Sequence, residues 1–196
     1  FHEAIVKNIN KLLNFFLNKY FNFDIKDSDG NSLLHYAAKY NNLNLIKELK
    51  KRNANFNILN NKNENSLNYY IKYDTRKNII KNIYNNNINS NDKDGNNCLI
   101  NYLLYNNNIN KNIINLFIEY KINLYHCNND ELSALVILMI NNDYENFKYL
   151  LKFINEIDYV SQYSNPILIV YLQNENNLNI NYLQELLKKK YDLNNP

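Results

Sequence analysis

The stretch DSDGNSLLHYAAKYNNLNLIKELKKRNANFN, Asp27 to Asn57, opens with two acids and a glycine and reaches a histidine at position 35. Those residue types could build a metal or catalytic site, or hold a turn. The rest of the stretch is regular. An apolar set, Leu33, Leu34, Ala37 and Ala38, is followed by a polar break, Tyr40 to Asn42. A second set, Leu43, Leu45, Ile46 and Leu49, then recurs at the steps of an amphipathic helix. The stretch therefore predicts a polar loop, a short helix, a tight turn and a second helix.

The same arrangement recurs along the chain. FHEAIVKN (1–8) aligns with LHYAAKYN (34–41), LNYYIKYD (67–74), LINYLLYN (99–106), LVILMINN (135–142) and ILIVYLQN (167–174). Their first positions differ by 33, 33, 32, 36 and 32 residues. A fixed period of this length marks an array of supersecondary units that bury their apolar faces only against neighbours. LNLIKELKKRNANFN (43–57), INLFIEYKINLY (114–125), FKYLLKFINEID (147–158) and LQELLKKKYDLN (183–194) supply second helices. One column is polar throughout: Asn8, Asn41, Asp74, Asn106, Asn142 and Asn174 close the six blocks. A left-handed residue is predicted at that helix-to-helix turn, and Asn and Asp are the non-glycine types that tolerate it best. The scarcity of glycine, two residues in 196, agrees with this assignment.

Composition narrows the function. Asn makes up roughly a quarter of the chain, and with abundant Lys, Ile and Tyr it reads first as the product of AT-rich codons. Aromatic and aliphatic residues suffice for a core. A net charge of +3 marks neither an acidic tail nor a strongly basic nucleic-acid binder. No apolar run approaches the roughly 20 residues of a membrane span, and no signal peptide is legible. Cys98 and Cys127, without CxxC spacing, argue for a reducing compartment and against a disulfide framework or zinc site.

The period and the motif Asp27-x-x-Gly30-x-Ser32-x-Leu34-His35-x-Ala37-Ala38 resemble the ankyrin repeat, whose pattern runs Asp-x-x-Gly-x-Thr-Pro-Leu-His-x-Ala-Ala. NANFN (53–57) stands where that family has Gly-Ala-Asp-Val-Asn. The fourth unit keeps Asp92 and Gly95 but has Cys98 and Ile100 at the Pro and His places, and Pro166 lies at the family's Pro in the sixth. The resemblance implies an all-α solenoid of about six stacked helix-turn-helix repeats with hairpin-like loops. It would form one domain over 1–196, with repeats at 1–26, 27–59, 60–91, 92–127, 128–159 and 160–196. KKKYDLNNP (188–196) would serve as a polar cap.

The resemblance also bears on the opening question, because the motif histidine, His35 here and His2 one period earlier, bonds loop backbone in that family. Zinc is disfavoured at His126 and Cys127, which lack further ligands at suitable spacing. Calcium is disfavoured at the two DxDG loops: the acid an EF-hand needs six residues after the glycine is replaced by Tyr36 and Asn101. Acids at such turn tips bond their own backbone. Gly30 and Gly95 stand alone, so no phosphate-binding loop is legible, and no base is placed for nucleophilic catalysis. A non-enzymatic chain without cofactor or metal is expected.

In the resembled family, partners are held by loop tips and the exposed side of the first helix. On this sequence those places are Ser28, Asp29, Asn31, Lys39 and Tyr40 in the second repeat, and Asn61, Lys62, Glu64, Lys72 and Tyr73 in the third. The fourth offers Lys93, Asp94, Asn96 and Tyr105, and the fifth Asn129, Asp130 and Leu132. Alternating charges with aromatic residues suit a polar protein surface, so the expected function is a monomeric protein-protein interaction scaffold. The alternative is a nucleic-acid or nucleotide binder using Lys50, Lys51 and Arg52 of KELKKR (47–52), or the lysines at 188–190. The simpler reading of those clusters is a favourable interaction with a helix C-terminus. The degenerate Asn- and Tyr-rich repeats are also similar to ankyrin proteins of poxviruses. That resemblance implies a cytoplasmic host-range or immune-evasion factor acting on a host protein. The F-box-like segment that many such proteins carry is not legible here, where the repeat pattern runs to the end.

Overall fold

The computed structural model describes residues 22–84, 88–155, 167–174 and 179–194. The chain divides into two compact units, residues 1–93 and 94–196. The described part of the first holds α1 (Leu33–Lys39), α2 (Leu43–Lys51), α3 (Ser66–Ile71) and α4 (Lys77–Ile83). The second holds α5 (Cys98–Tyr105), α6 (Lys111–Glu119), α7 (Ala134–Ile140), α8 (Tyr144–Leu151), α9 (Ile167–Asn174) and α10 (Ile180–Asn194). His2 and Asn8 lie outside the described residues.

Among the described residues the predicted helix pairs are present, and like packs on like; the pair expected in repeat 1–26 lies outside them. In the first unit α1 packs on α3 and α2 on α4; in the second α5 packs on α7, α7 on α9 and α6 on α8. Each helix is too short to be stable alone, so its apolar stripe must supply the stability. Leu33, Leu34, Ala37, Ala38, Leu45, Ile46 and Leu49 are buried as the spacing requires. Ser32, Asn65, Asn97 and Ser133 occupy the N-caps of α1, α3, α5 and α7, all with extended backbone. The side chains of Asn65, Asn97 and Ser133 accept from the first-turn N–H groups that the helix leaves unpaired.

The turns between paired helices come in two lengths, which corrects the reading of the asparagine column. α1 to α2 and α7 to α8 are joined by three residues, and there Asn41 (φ 54°) and Asn142 (φ 53°) are left-handed. α3 to α4 and α5 to α6 are joined by five, and a five-residue connection reverses the chain without a left-handed residue at that place. Asp74 instead turns its carboxylate onto the Thr75 N–H (2.6 Å) and the Asn41 side-chain amide (2.8 Å). Asn106 is extended (φ −122°, ψ 121°), and Asn174 is the last residue of α9.

A tyrosine spans each five-residue turn. The Tyr70 hydroxyl accepts from the Arg76 N–H (3.2 Å) and donates to the Asn41 side chain (2.9 Å). The Tyr102 hydroxyl accepts from the Asn110 N–H (2.6 Å), and that of Tyr171 from the Asn179 N–H (3.3 Å) at the start of α10. The place of Tyr70 and Tyr102 in the block is taken by Ala37 and Leu138 in the repeats with three-residue turns. Burial pushes the Tyr70 and Tyr102 hydroxyls above the ordinary phenol range, which keeps them protonated.

Candidate functional site

The loops ahead of the first helices share one design. In three of them an Asx residue opens a turn by accepting two backbone N–H groups: Asp27 from Asp29 and Asn31, Asn60 from Lys62 and Glu64, and Asn128 from Asp130 and Leu132. The third residue after each is left-handed: Gly30, Asn63 and Glu131, with Gly95 at the same place in the fourth repeat. Successive loops are then bonded together. In the first unit the Asn61 N–H donates to Asp29 O (2.9 Å) and the Lys93 N–H to Lys62 O (3.0 Å); in the second the Asn129 N–H donates to Asp94 O (3.0 Å). Glycine is required at position 30 because a Cβ there would lie 2.7 Å from the Asn61 nitrogen, and at position 95 because one would lie 2.8 Å from that of Asn129.

This ladder sorts the predicted partner residues. Ser28, Asp29, Asn61, Lys62 and Lys93 in the first unit, and Asp94, Asn129 and Asp130 in the second, are exposed at the loop tips. Leu132 is half-buried, while Tyr105 is exposed on α5. Asn31, Glu64 and Asn96 are not surface groups, which corrects the expectation for them. All three are buried: Asn31 and Asn96 turn their side chains to the Asx residue of the next loop, and Glu64 turns to Asn60 of its own loop and to Lys72. Asn60 Nδ2 donates to Asn31 Oδ1 (3.0 Å) and Glu64 Oε2 (2.7 Å), and Asn128 Nδ2 donates to Asn96 Oδ1 (2.9 Å).

Lys72 is a further correction. Its ammonium lies 2.8 Å from Glu64 and 2.9 Å from Asp92, in a cluster whose side chains are 13%, 3% and 2% exposed. Burial opposes its charge, but the hydrogen bonds to Glu64 and Asp92 outweigh this and hold Lys72 protonated well above the ordinary lysine range. The residue therefore fastens the third-repeat loop to the next one and has no charge to spare for a partner.

His35 lies in the same loop system. Its Nδ1 accepts from the Ser32 N–H (3.2 Å) and lies 2.9 Å from the Ser32 hydroxyl, leaving Nε2–H to donate to Glu64 O (3.0 Å). Both ring nitrogens are thus occupied by its own cap and the next loop, and burial lowers the pKa below the ordinary imidazole value. In the second unit His126 Nε2 is 2.6 Å from Gly95 O.

The residues the structure brings together as a surface are Lys39, Tyr40 and Tyr73, joined by Tyr36 and Tyr69. Lys39 Nζ lies 4.8 Å from the Tyr73 ring centroid, 5.8 Å from that of Tyr69 and 5.9 Å from that of Tyr40. Tyr36 stacks on Tyr40 with centroids 6.4 Å apart, and Tyr69 meets Tyr73 at 5.1 Å. The Tyr36 hydroxyl donates to Asp27 (2.5 Å), a bond that helps push its pKa up to about 12. Tyr40 and Tyr73 are 41% and 56% exposed, so two tyrosines just beyond the C-terminal ends of α1 and α3 reach the surface beside the half-buried Lys39. Periodicity places each of these residues on a first helix, but only the packing of α1 on α3 shows that they converge.

The basic cluster at the end of α2 is arranged differently. Lys50 and Lys51 lie in the last helical turn and Arg52 pairs with Glu48 at 2.7 Å, a surface pair one turn apart with a favourable helix-end charge.

Residues 1–94, just under half of the 196-residue chain, match the family model for ankyrin repeats in three copies. No curated protein matches the chain. Ankyrin repeats are in general protein-protein interaction scaffolds, typically without catalytic activity. The all-α ankyrin-repeat fold is therefore shown for residues 1–94, where the family's own sequence pattern is matched.

Proposed function

We propose that this chain is a non-catalytic, monomeric scaffold that holds a partner protein on its loop tips and the exposed side of its first helices. The observation that carries this reading is the loop ladder. Ser28, Asp29, Asn61 and Lys62, and in the second unit Asp94, Asn129 and Asp130, project from loops whose backbones bond to one another. Side chains on so ordered a framework lose little conformational freedom on docking. On the resemblance to poxvirus-type ankyrin proteins, the partner is a host protein of the cytoplasm and the chain a host-range or immune-evasion factor. The support for that part is the Asn- and Tyr-rich degeneracy of the repeats alone.

The test is affinity capture with mass spectrometry from insect and mammalian cytosol, comparing the parent with a variant in which Asp29, Lys62, Lys93 and Asp130 are all changed to Ala. A protein retained by the parent and lost by the variant, with unchanged circular dichroism, supports the reading. Equal capture by both, or recovery dominated by nuclease-sensitive material, defeats it.

A further inference from the structure

From the Lys39 cluster we infer that the first-helix face of α1 and α3 is a docking site for an acidic peptide segment: a carboxylate beside an apolar or aromatic residue. This rests on the reading of that face as a partner surface and names the class of partner. Two other cations of these elements and loops are engaged. Lys72 holds Glu64 and Asp92, and Lys26 donates to Leu59 O. Lys39 meets no carboxylate among the described residues and lies over three tyrosine rings. An ammonium held over aromatic faces loses side-chain freedom in advance of binding. Tyr40 adds a phenol group that can donate to a carboxylate, and both Tyr40 and Tyr73 add exposed ring surface for an apolar neighbour.

The carboxylates of these elements do not compete for Lys39. The nearby carboxylates are committed, Asp27 to Tyr36 and to two backbone N–H groups, Glu64 and Asp92 to Lys72. Lys62 and Lys93 are exposed on adjacent loop tips, where Asp29 and, beside Lys93, Asp94 are the exposed acids. A nucleic acid fits less well. A polyanion needs several cations along its track, and Tyr36 and Tyr40 already stack on each other.

The probe is a fluorescently labelled Glu–Tyr alternating peptide, compared by anisotropy with Gln–Tyr and Lys–Tyr peptides of equal length, on the full chain. The expected result is binding of the Glu–Tyr peptide that weakens at least ten-fold in Lys39→Met and in Tyr73→Ala, with melting temperatures kept near the parent's. Lys39→Glu should reverse the preference toward the Lys–Tyr peptide, a gain that a misfolded variant cannot produce. Binding unchanged in Lys39→Met, equal binding of the Gln–Tyr peptide, or tighter binding of an oligothymidylate each overturns the inference. The two readings fail separately. Tip-dependent capture of a partner without Glu–Tyr binding removes only the acidic class. Lys39-dependent Glu–Tyr binding without tip-dependent capture supports the docking site and removes the loop-tip scaffold.

Discussion

Replacing Lys72 with Met should be among the most damaging single changes in the first unit, and the structure says by how much. The ammonium sits 2.8 and 2.9 Å from two carboxylates that are almost wholly buried. At an effective dielectric of about 20, each such pair contributes on the order of 4 kcal/mol. Desolvation of the three ions and repulsion between Glu64 and Asp92 oppose this, so net stabilisation is far below the sum. Methionine fills much of the same volume but leaves two buried acids without a cation, a defect that costs about 3–5 kcal/mol. Urea titration followed by far-ultraviolet circular dichroism would read that loss. Its pH dependence identifies the cause. Without Lys72 the folded state holds protons on these acids more tightly than the unfolded chain does, whose carboxyls titrate near 4. The folded variant therefore binds more protons than the unfolded one, and its deficit relative to the parent should shrink as pH falls from about 7 toward about 4.5. Adding Glu64→Gln should likewise recover part of the loss. A deficit below about 1 kcal/mol, or one indifferent to both pH and Glu64→Gln, would refute the assignment.

Three further outcomes are expected. Tyr70→Phe and Tyr102→Phe should each cost about 1–2 kcal/mol by leaving a turn N–H without its acceptor, whereas Tyr40→Phe should be neutral within about 0.5 kcal/mol; thermal melts of the three variants separate these cases. His35, whose folded pKa is depressed by burial from an ordinary value of 6.5, contributes stability that is complete above that value and is lost as pH falls through the folded pKa. Urea midpoints near pH 7.5 and pH 5.5 should differ by less in His35→Gln than in the parent, since that variant has lost the titrating group. Asn60→Asp should keep the turn but lose the amide that donates to Asn31 and Glu64, placing a second carboxylate beside Glu64; a loss of about 2 kcal/mol or more is expected, read by chemical denaturation, with Asn60→Ser intermediate.

The period, the helix pairs and the tip positions were legible because burial periodicity is a local property of sequence. Leu34, Ala37, Leu45 and Leu49 could face nowhere but inward once each helix was recognised. The turn column was half legible. Asn41 and Asn142 are left-handed as their chemistry suggests, but whether a given turn needs such a residue depends on its length, which an alignment of eight-residue blocks conceals at Asp74 and Asn106. At Tyr70 and Tyr102 the apolar pattern predicts no more than packing, because an aromatic ring meets it by itself; the hydroxyl's partner lies in another element. The sequence signal for it is a tyrosine at the place held by Ala37 and Leu138, coinciding with a longer turn. The burial of Asn31, Glu64 and Asn96 was hidden for a similar reason, although an Asx residue four positions earlier marks every one of them.

These cases assign a structural task to a residue type that composition alone attributes to codon bias. An aspartate at the head of a loop can only accept, and Asp27 does so from two backbone N–H groups and the Tyr36 hydroxyl. Asn60 accepts the equivalent pair of N–H groups and also donates to Asn31 and Glu64, which ties its loop to the preceding one. Asn128 does the same toward Asn96 in the second unit. Asparagine at position 63 takes up the left-handed conformation that glycine supplies at positions 30 and 95, and its side-chain amide donates to Asn91 O across the next loop. An AT-rich codon supply would substitute asparagine for both aspartate and glycine. In this architecture each substitution retains the backbone geometry and adds a donor between neighbouring loops, so repeats can drift far from their pattern while the ladder that presents the loop tips persists.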